Sequence, residues 1–253
     1  MRLTFLGTGG SFGTPMIGCQ CSVCRSKNPK DHRLRSSALV ESDTTRLLID
    51  CGPDFRQQAL NMPFRKIDGV LLTHSHYDHV GGIDDLRPFC KFGDIDIYAD
   101  RITAANLKRA IPYCVDKEKY PGVANINLIV IEPHKPMRIG DIDIMPVEVM
   151  HDKLPILGYR FGQMAYITDM KTIGDGELAY LDGVEVLVVN ALRFERPHHS
   201  HQLVDDAICF ARRIGARHTY FMHSCHHIGL HDEVCHLLPE GFEMAYDGQV
   251  IDI

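Results

Sequence analysis

No apolar run in this chain approaches the roughly 20 residues needed to cross a bilayer, which excludes a helical membrane span, and no membrane partner is expected. The N-terminal stretch MRLTFLGTGGSFGTP is too short in apolar residues for the core of an export signal and turns quickly into a glycine-rich loop. With no visible targeting segment, the expected location is the cytoplasm. A basic excess is also lacking: Lys and Arg number 27 against 33 Asp and Glu, for a net charge of -6. Nothing therefore provides the broad positive field that gathers a polyanion, and extended nucleic-acid binding is disfavoured. Low-complexity linkers, internal repeats and breaks in composition are missing as well, so a second domain has no support.

What is present fits one globular body. Hydrophobic residues make up 45% of the 253 positions and charged residues 24%, enough apolar material for a large interior. Residues 1–253 are read as a single domain. Short β-rich runs recur in RLTFLG, RLLIDCG, GVLLTHS, DIDIYA, NLIVI, DIDIMPVEV, AYITD, VEVLVVN and EMAYDG. Between them, GIDDLRPFCKF, ITAANLKRAIPY and HQLVDDAICFARRIG repeat apolar residues at helical spacing. This predicts an α/β (α+β) architecture in which helices cover sheets, with PYCVDKEKYPGVAN as a loop or short insertion. The nine cysteines read as metal ligands and buried thiols rather than disulfides, given a reducing compartment.

Several histidines and aspartates directly follow apolar runs: LLT before His74, PVEVM before His151, AYIT before Asp169 and TYFM before His223. Strand ends hold side chains rigidly while leaving them accessible, so separate strands can aim ligands at one point. The densest signal is VLLTHSHYDHVGG, an H-x-H-x-D-H pattern that sets His74, His76, Asp78 and His79 within six positions. Imidazoles and carboxylates are the donors that borderline divalent cations accept. His74 and His76 are spaced to share one ion, leaving Asp78 and His79 for a second.

This motif, with Gly81 and Gly82 behind it, resembles the hallmark loop of the metallo-β-lactamase superfamily. The resemblance implies a four-layer αββα sandwich with its site at one edge. It further implies His74, His76 and His151 on one metal, Asp78, His79 and His223 on the other, and Asp169 bridging both. Two divalent ions, zinc or manganese, are thus expected at a catalytic centre.

A second cluster, GCQCSVC, places Cys19, Cys21 and Cys24 in one turn-rich loop, where three thiolates could share a tetrahedral ion. Chemistry accepts either Cys225 or His226 as the fourth ligand. After an L-G-T-G-G start at Leu6–Gly10, this C-x-C-x-x-C loop looks like that of the PhnP-type cyclic phosphodiesterases of the superfamily, and that resemblance implies a structural zinc completed by His226. Cys51, Cys90, Cys114, Cys209 and Cys235 lie among apolar neighbours and are expected to be packing residues. By the same resemblance His201 is the general acid, because a histidine can protonate a departing alkoxide near neutral pH. His198 and His199 are expected in a solvated loop. The resemblance implies a small cyclic phosphodiester as substrate, such as 5-phosphoribosyl 1,2-cyclic phosphate, with cyclic nucleotides also open; the expected reaction is its hydrolysis by a metal-bound hydroxide that Asp78 or Asp169 orients. The rival readings are a tRNA 3′-processing endonuclease of the same superfamily and a noncatalytic metal-binding protein. A homodimer is left open.

Overall fold

The computed structural model describes residues 1–116 and 122–253. Among these the chain first forms β1 (Arg2–Gly7), β2 (Ser37–Glu41), β3 (Arg46–Ile49), β4 (Gly69–Leu71), β5 (Ile95–Ala99) and β6 (Ile126–Val130). It continues through β7 (Met137–Ile139), β8 (Ile142–His151), β9 (Leu154–Phe161), β10 (Met164–Ile167), β11 (Val186–Asn190), β12 (His218–Met222) and β13 (Phe242–Met244), then β14 (Val250–Asp252). One sheet runs β14-β1-β2-β3-β4-β5-β6 and the other β13-β12-β11-β10-β9-β8-β7.

The strand patterns explain the layering. In β3, Leu47 and Ile49 point one way and Leu48 the other, and all are apolar because both faces are covered. Leu47, Ile49 and Leu71 meet Leu157, Tyr159, Tyr166 and Val188 in a core between the sheets. Leu48, Val70 and Ile97 face outward onto Phe55, Leu86 and Leu107 of helical segments. On the opposite side Val149, Ile167, Val189 and Phe221 pack on Val204, Ala207 and Phe210 of the helix Val204–Ile214. Three apolar layers separate helices, sheet, sheet and helices, which is an αββα sandwich. None of the described helices is long and apolar enough to cross a membrane.

The helices follow their local signals. Asp100 caps the helix Arg101–Ala110 by accepting from the Ile102 and Thr103 amides. The helix Val204–Ile214 stops at Gly215, whose φ of 77° is left-handed. Ile83–Phe92 is a 3₁₀ run that accommodates Pro88. The segment read as a loop after Ala110 begins with a short helix, Pro112–Val115, and its residues 117–121 lie outside the described ones. One thiol departs from expectation: Cys209 is exposed, on the outward face of its helix, and packs in no core. Cys51 and Cys114 are buried, whereas Cys90 and Cys235 are half-buried.

Strands β3 to β6 run parallel, as do β10 to β13, so their C-terminal ends collect at common edges. The sheets are tied together at the end of β4. Tyr159 Oη donates to the Leu72 carbonyl at 2.6 Å, and the Leu157 amide donates to the Thr73 carbonyl at 3.0 Å.

Candidate active site

Strand β4 delivers Leu72 and Thr73 to the edge, and His74 follows. The chain then turns into the short helix Tyr77–Val80, which carries Asp78 and His79. Close backbone contact seats this turn: the Cys51 amide donates to the His79 carbonyl at 2.8 Å, and a Cβ on Gly52 would collide with the Asp78 carbonyl. His151 ends β8. Its Nδ1 lies 2.7 Å from the Asp169 carbonyl and 3.0 Å from that of Ser200. Carbonyls only accept, so Nδ1 carries the proton and Nε2 is left for another partner.

Asp169 and His223 follow β10 and β12 with φ of 57° and 53°, a left-handed backbone that costs side-chain-bearing residues about 1 kcal/mol or more. Neighbours hold them there. Asn190, ending β11, accepts from the Met170 amide at 2.7 Å and donates to its carbonyl at 3.0 Å, which locks the turn after Asp169.

All seven residues expected at the centre converge. Ligand atoms of His74, His76 and His151 lie within 4.8 Å of one another, as do those of Asp78, His79 and His223, and those of His74, His79 and Asp169. Buried Nε2 of His74, His79 and His223 make no hydrogen bond among the described residues. Such orphaned nitrogens, facing carboxylates, are the donor set that a divalent cation satisfies.

The charges oppose strongly. Burial pushes Asp78 and Asp169 up, but the His79 and His223 rings hold both well below the usual carboxylate range. Burial acts downward on His79 and His223, yet Asp169 together with Asp78 raises both. His74 is kept neutral by burial and then by His79.

Sequence reasoning missed one member of this group. Asp50, fully buried after β3, lies 2.7 Å from His79 Nδ1 and accepts from the Thr73 amide at 2.8 Å and hydroxyl at 2.9 Å. It fixes the His79 ring so that Nε2 faces Asp169 at 3.2 Å. The signal was available: RLLID ends an apolar run on an aspartate as AYITD does.

His201 is buried with Nδ1 3.7 Å from Asp169 Oδ1, and its ring lies 4.8 Å from those of His151 and His223. Burial, then His223, pushes it down to about 3. Lys171 Nζ donates to its carbonyl at 3.2 Å. His198 and His199 lie in a loop, half-buried and exposed respectively; both also border the cleft, and the His198 ring stacks on His201 at 4.9 Å.

The cysteine loop also closes on one point. Sγ of Cys19 and Cys21 each lie 3.3 Å from His226 Nδ1, and with Cys24 the four form a compact group to which Cys225 does not belong. Burial pushes Cys21 up, but hydrogen bonds from His226 and the Cys24 amide bring it down to about 6, so one thiolate is available near neutral pH. Three sulfurs and an imidazole suit tetrahedral zinc.

A cleft of about 750 Å³ opens beside His76, His151, His201 and His223 and is bordered by Phe12, Met16, Leu154 and Leu192.

Residues 45–224 match the family model described as Beta-lactamase superfamily domain. An octanoyltransferase of Porphyromonas gingivalis is 42% identical over 249 residues, 98% of this chain and 51% of that protein. The chain thus spans about half the length of that relative. A ribonuclease Z of Methanopyrus kandleri is 28% identical over 207 residues, 78% of this chain and 61% of that protein. The crystal structure of a diphosphatase from the PhnP family superposes with a TM-score of 0.92 at 38% identity, covering 100% of this chain and 97% of that one.

Proposed function

From the premise that the chain belongs to the metallo-β-lactamase superfamily as a PhnP-like, metal-dependent hydrolase, we propose that it is a dinuclear-metal phosphodiesterase acting on a small cyclic phosphodiester such as 5-phosphoribosyl 1,2-cyclic phosphate. The observation that carries this reading is the meeting of five imidazoles and two carboxylates around buried, orphaned nitrogens. His74, His76 and His151 would hold one cation, Asp78, His79 and His223 the other, and Asp169 both. Two zinc or manganese ions there would supply an activated water at neutral pH and neutralise the non-bridging phosphoryl oxygens.

The chain's own groups complete the reaction. Asp78 and Asp169 are ionised and can accept a hydrogen bond from the attacking water, turning its lone pair toward phosphorus. As the new P–O bond forms in line, the P–O bond to the departing alkoxide breaks. His201 delivers a proton to that oxygen, giving a phosphomonoester and a hydroxyl group. Burial keeps the His201 ring neutral; an anionic substrate beside it favours the protonated form that a general acid requires. Cys19, Cys21, Cys24 and His226 would hold one structural zinc. Nine free cysteines fit a reducing, cytoplasmic location, and residues 1–253 are taken as one domain.

The test is metal analysis of the purified protein, then turnover of bis-p-nitrophenyl phosphate and a ribosyl cyclic phosphate after reconstitution with Mn²⁺ or Zn²⁺. Hydrolysis of both is expected, with Asp78→Ala folded but inactive. No hydrolysis of either would sink the assignment. A second reading, a tRNA 3′-processing endonuclease, is favoured by the ribonuclease Z relative; cleavage of a pre-tRNA in place of the cyclic phosphate would establish it. The net charge of -6 weighs against it.

A further inference from the structure

We propose that Arg193 and Lys153 form a second anion subsite in the cleft, binding a remote phosphate of the substrate while its cyclic phosphodiester occupies the seven-residue centre. This rests on the phosphodiesterase reading and names the part of the substrate that the centre itself does not reach.

A cleft of about 750 Å³ is far roomier than one phosphodiester group requires. Its charged lining outside the centre is Lys153 and Arg193 against one carboxylate, Asp152. In a chain of net charge -6 this is a local reversal of sign, and it faces the ligand.

Arg193 is held ready for a phosphate. Its backbone lies between two anchors: the Cys225 amide donates to the Leu192 carbonyl at 3.1 Å, and the Val204 amide donates to the Arg193 carbonyl at 3.1 Å. Its Nε donates to the Arg196 carbonyl at 2.9 Å, which sets the guanidinium plane. The two terminal nitrogens make no hydrogen bond among the described residues, leaving a planar fork that matches two phosphate oxygens. Lys153 stands on the two-residue turn between His151 and Leu154, which pair across the β8–β9 hairpin. Asp152 takes the left-handed conformation there, with φ of 55°. The ammonium is thereby tethered two positions from His151, makes no ion pair among the described residues, and supplies a point charge to the cleft that the fork also lines.

The experiment compares ribose 1,2-cyclic phosphate with and without a 5-phosphate as substrates of the reconstituted enzyme. It uses wild type, R193Q, K153Q and the double variant, and calorimetry with ribose 5-phosphate runs in parallel. The wild type is expected to prefer the 5-phosphorylated substrate. Each single substitution should cut that preference roughly tenfold through KM, leave kcat and the unphosphorylated substrate unchanged, and weaken ribose 5-phosphate by a similar factor. Turnover with a preference that the variants leave intact overturns the subsite and spares the phosphodiesterase reading. Equal losses on both substrates give Arg193 and Lys153 a structural role and likewise overturn it. Absence of turnover, with ribose 5-phosphate binding that the variants weaken, overturns the phosphodiesterase reading and supports the anion subsite. Neither turnover nor binding overturns both.

Discussion

Three donors converge on the buried carboxylate of Asp50: the amide and hydroxyl of Thr73 and the ring of His79. Asp50→Ala would leave His79 free to rotate about its χ angles, and partners of this kind typically account for 10–100-fold in metal affinity or activity. We expect a loss of that size in metal content or turnover, read by elemental analysis and steady-state kinetics, with the far-ultraviolet circular dichroism unchanged. The contrast between this residue and its neighbours shows what a sequence makes visible at this scale. H-x-H-x-D-H stands out because four metal-binding side chains crowd into six positions, and His151, Asp169 and His223 are found by following its order along the chain. Asp50 is a lone aspartate after an apolar run, a pattern shared with turn and capping residues, and only the fold shows that its neighbour is His79. Similarly, Cys225 and His226 are equivalent donors in the sequence. The turn after β12 decides between them by pointing His226 Nδ1 at the sulfurs.

Elements were legible where their pattern was local. The runs at β1, β3, β5 and β8 announce strands, whereas β2 and β9 do not. All of β2 is buried, including Ser37, which donates to the Ile49 and Asp50 carbonyls, and Glu41, which pairs with Arg46 and Arg65. Polar residues satisfied by distant partners leave no alternation to read. In β9, Pro155 and Gly158 look like breakers, yet Gly158 sits where a Cβ would press on Ile167 of the adjoining strand. Another distant pairing joins the N-terminal loop to the helix His231–Leu237: Arg33 Nη2 donates to His231 Nδ1 at 3.2 Å, and Asp31 accepts from the His231 amide at 2.6 Å. Burial, then Arg33, pushes His231 down to about 4. The unfolded chain binds this proton below about pH 6.5 and the folded one only near 4. Stability from this contact is therefore complete above pH 6.5 and drains away as pH falls toward 4. Gln at this position keeps an acceptor for Arg33 and does not titrate. The stability gap between wild type and His231→Gln, from urea unfolding, should shrink by about 2 kcal/mol across that window. A gap constant with pH would show that His231 binds its proton equally in the folded and unfolded states.

For the molecule as a whole, what composition and periodicity conveyed was sheets covered by helices. The pairing order, and the return of β14 to the edge of the first sheet beside β1, depend on contacts between residues up to 250 positions apart, such as Arg2 and Asp252. Periodicity carries no trace of those, and the four-layer sandwich came from family resemblance. The bond from Tyr159 to Leu72 joins the sheets in the same interior. Tyr159→Phe preserves the packing and leaves one buried carbonyl unpaired, so a loss of about 1–3 kcal/mol is expected. Melting should drop by a few degrees by calorimetry, and turnover by more than the stability loss explains if the sheets shift at His74.

His223 and His226 are three residues apart on one short stretch, and each belongs to a different donor group. Gly10 extends this link, since its amide donates to the Ser224 carbonyl at 3.1 Å, and the same N-terminal loop carries the three thiols. Filling the sulfur-rich group would freeze the stretch on which the hydrolytic centre depends. Stepwise addition of zinc to stripped protein should thus follow a sigmoidal course, and C21S should blunt that cooperativity even though it removes no donor from the reaction centre.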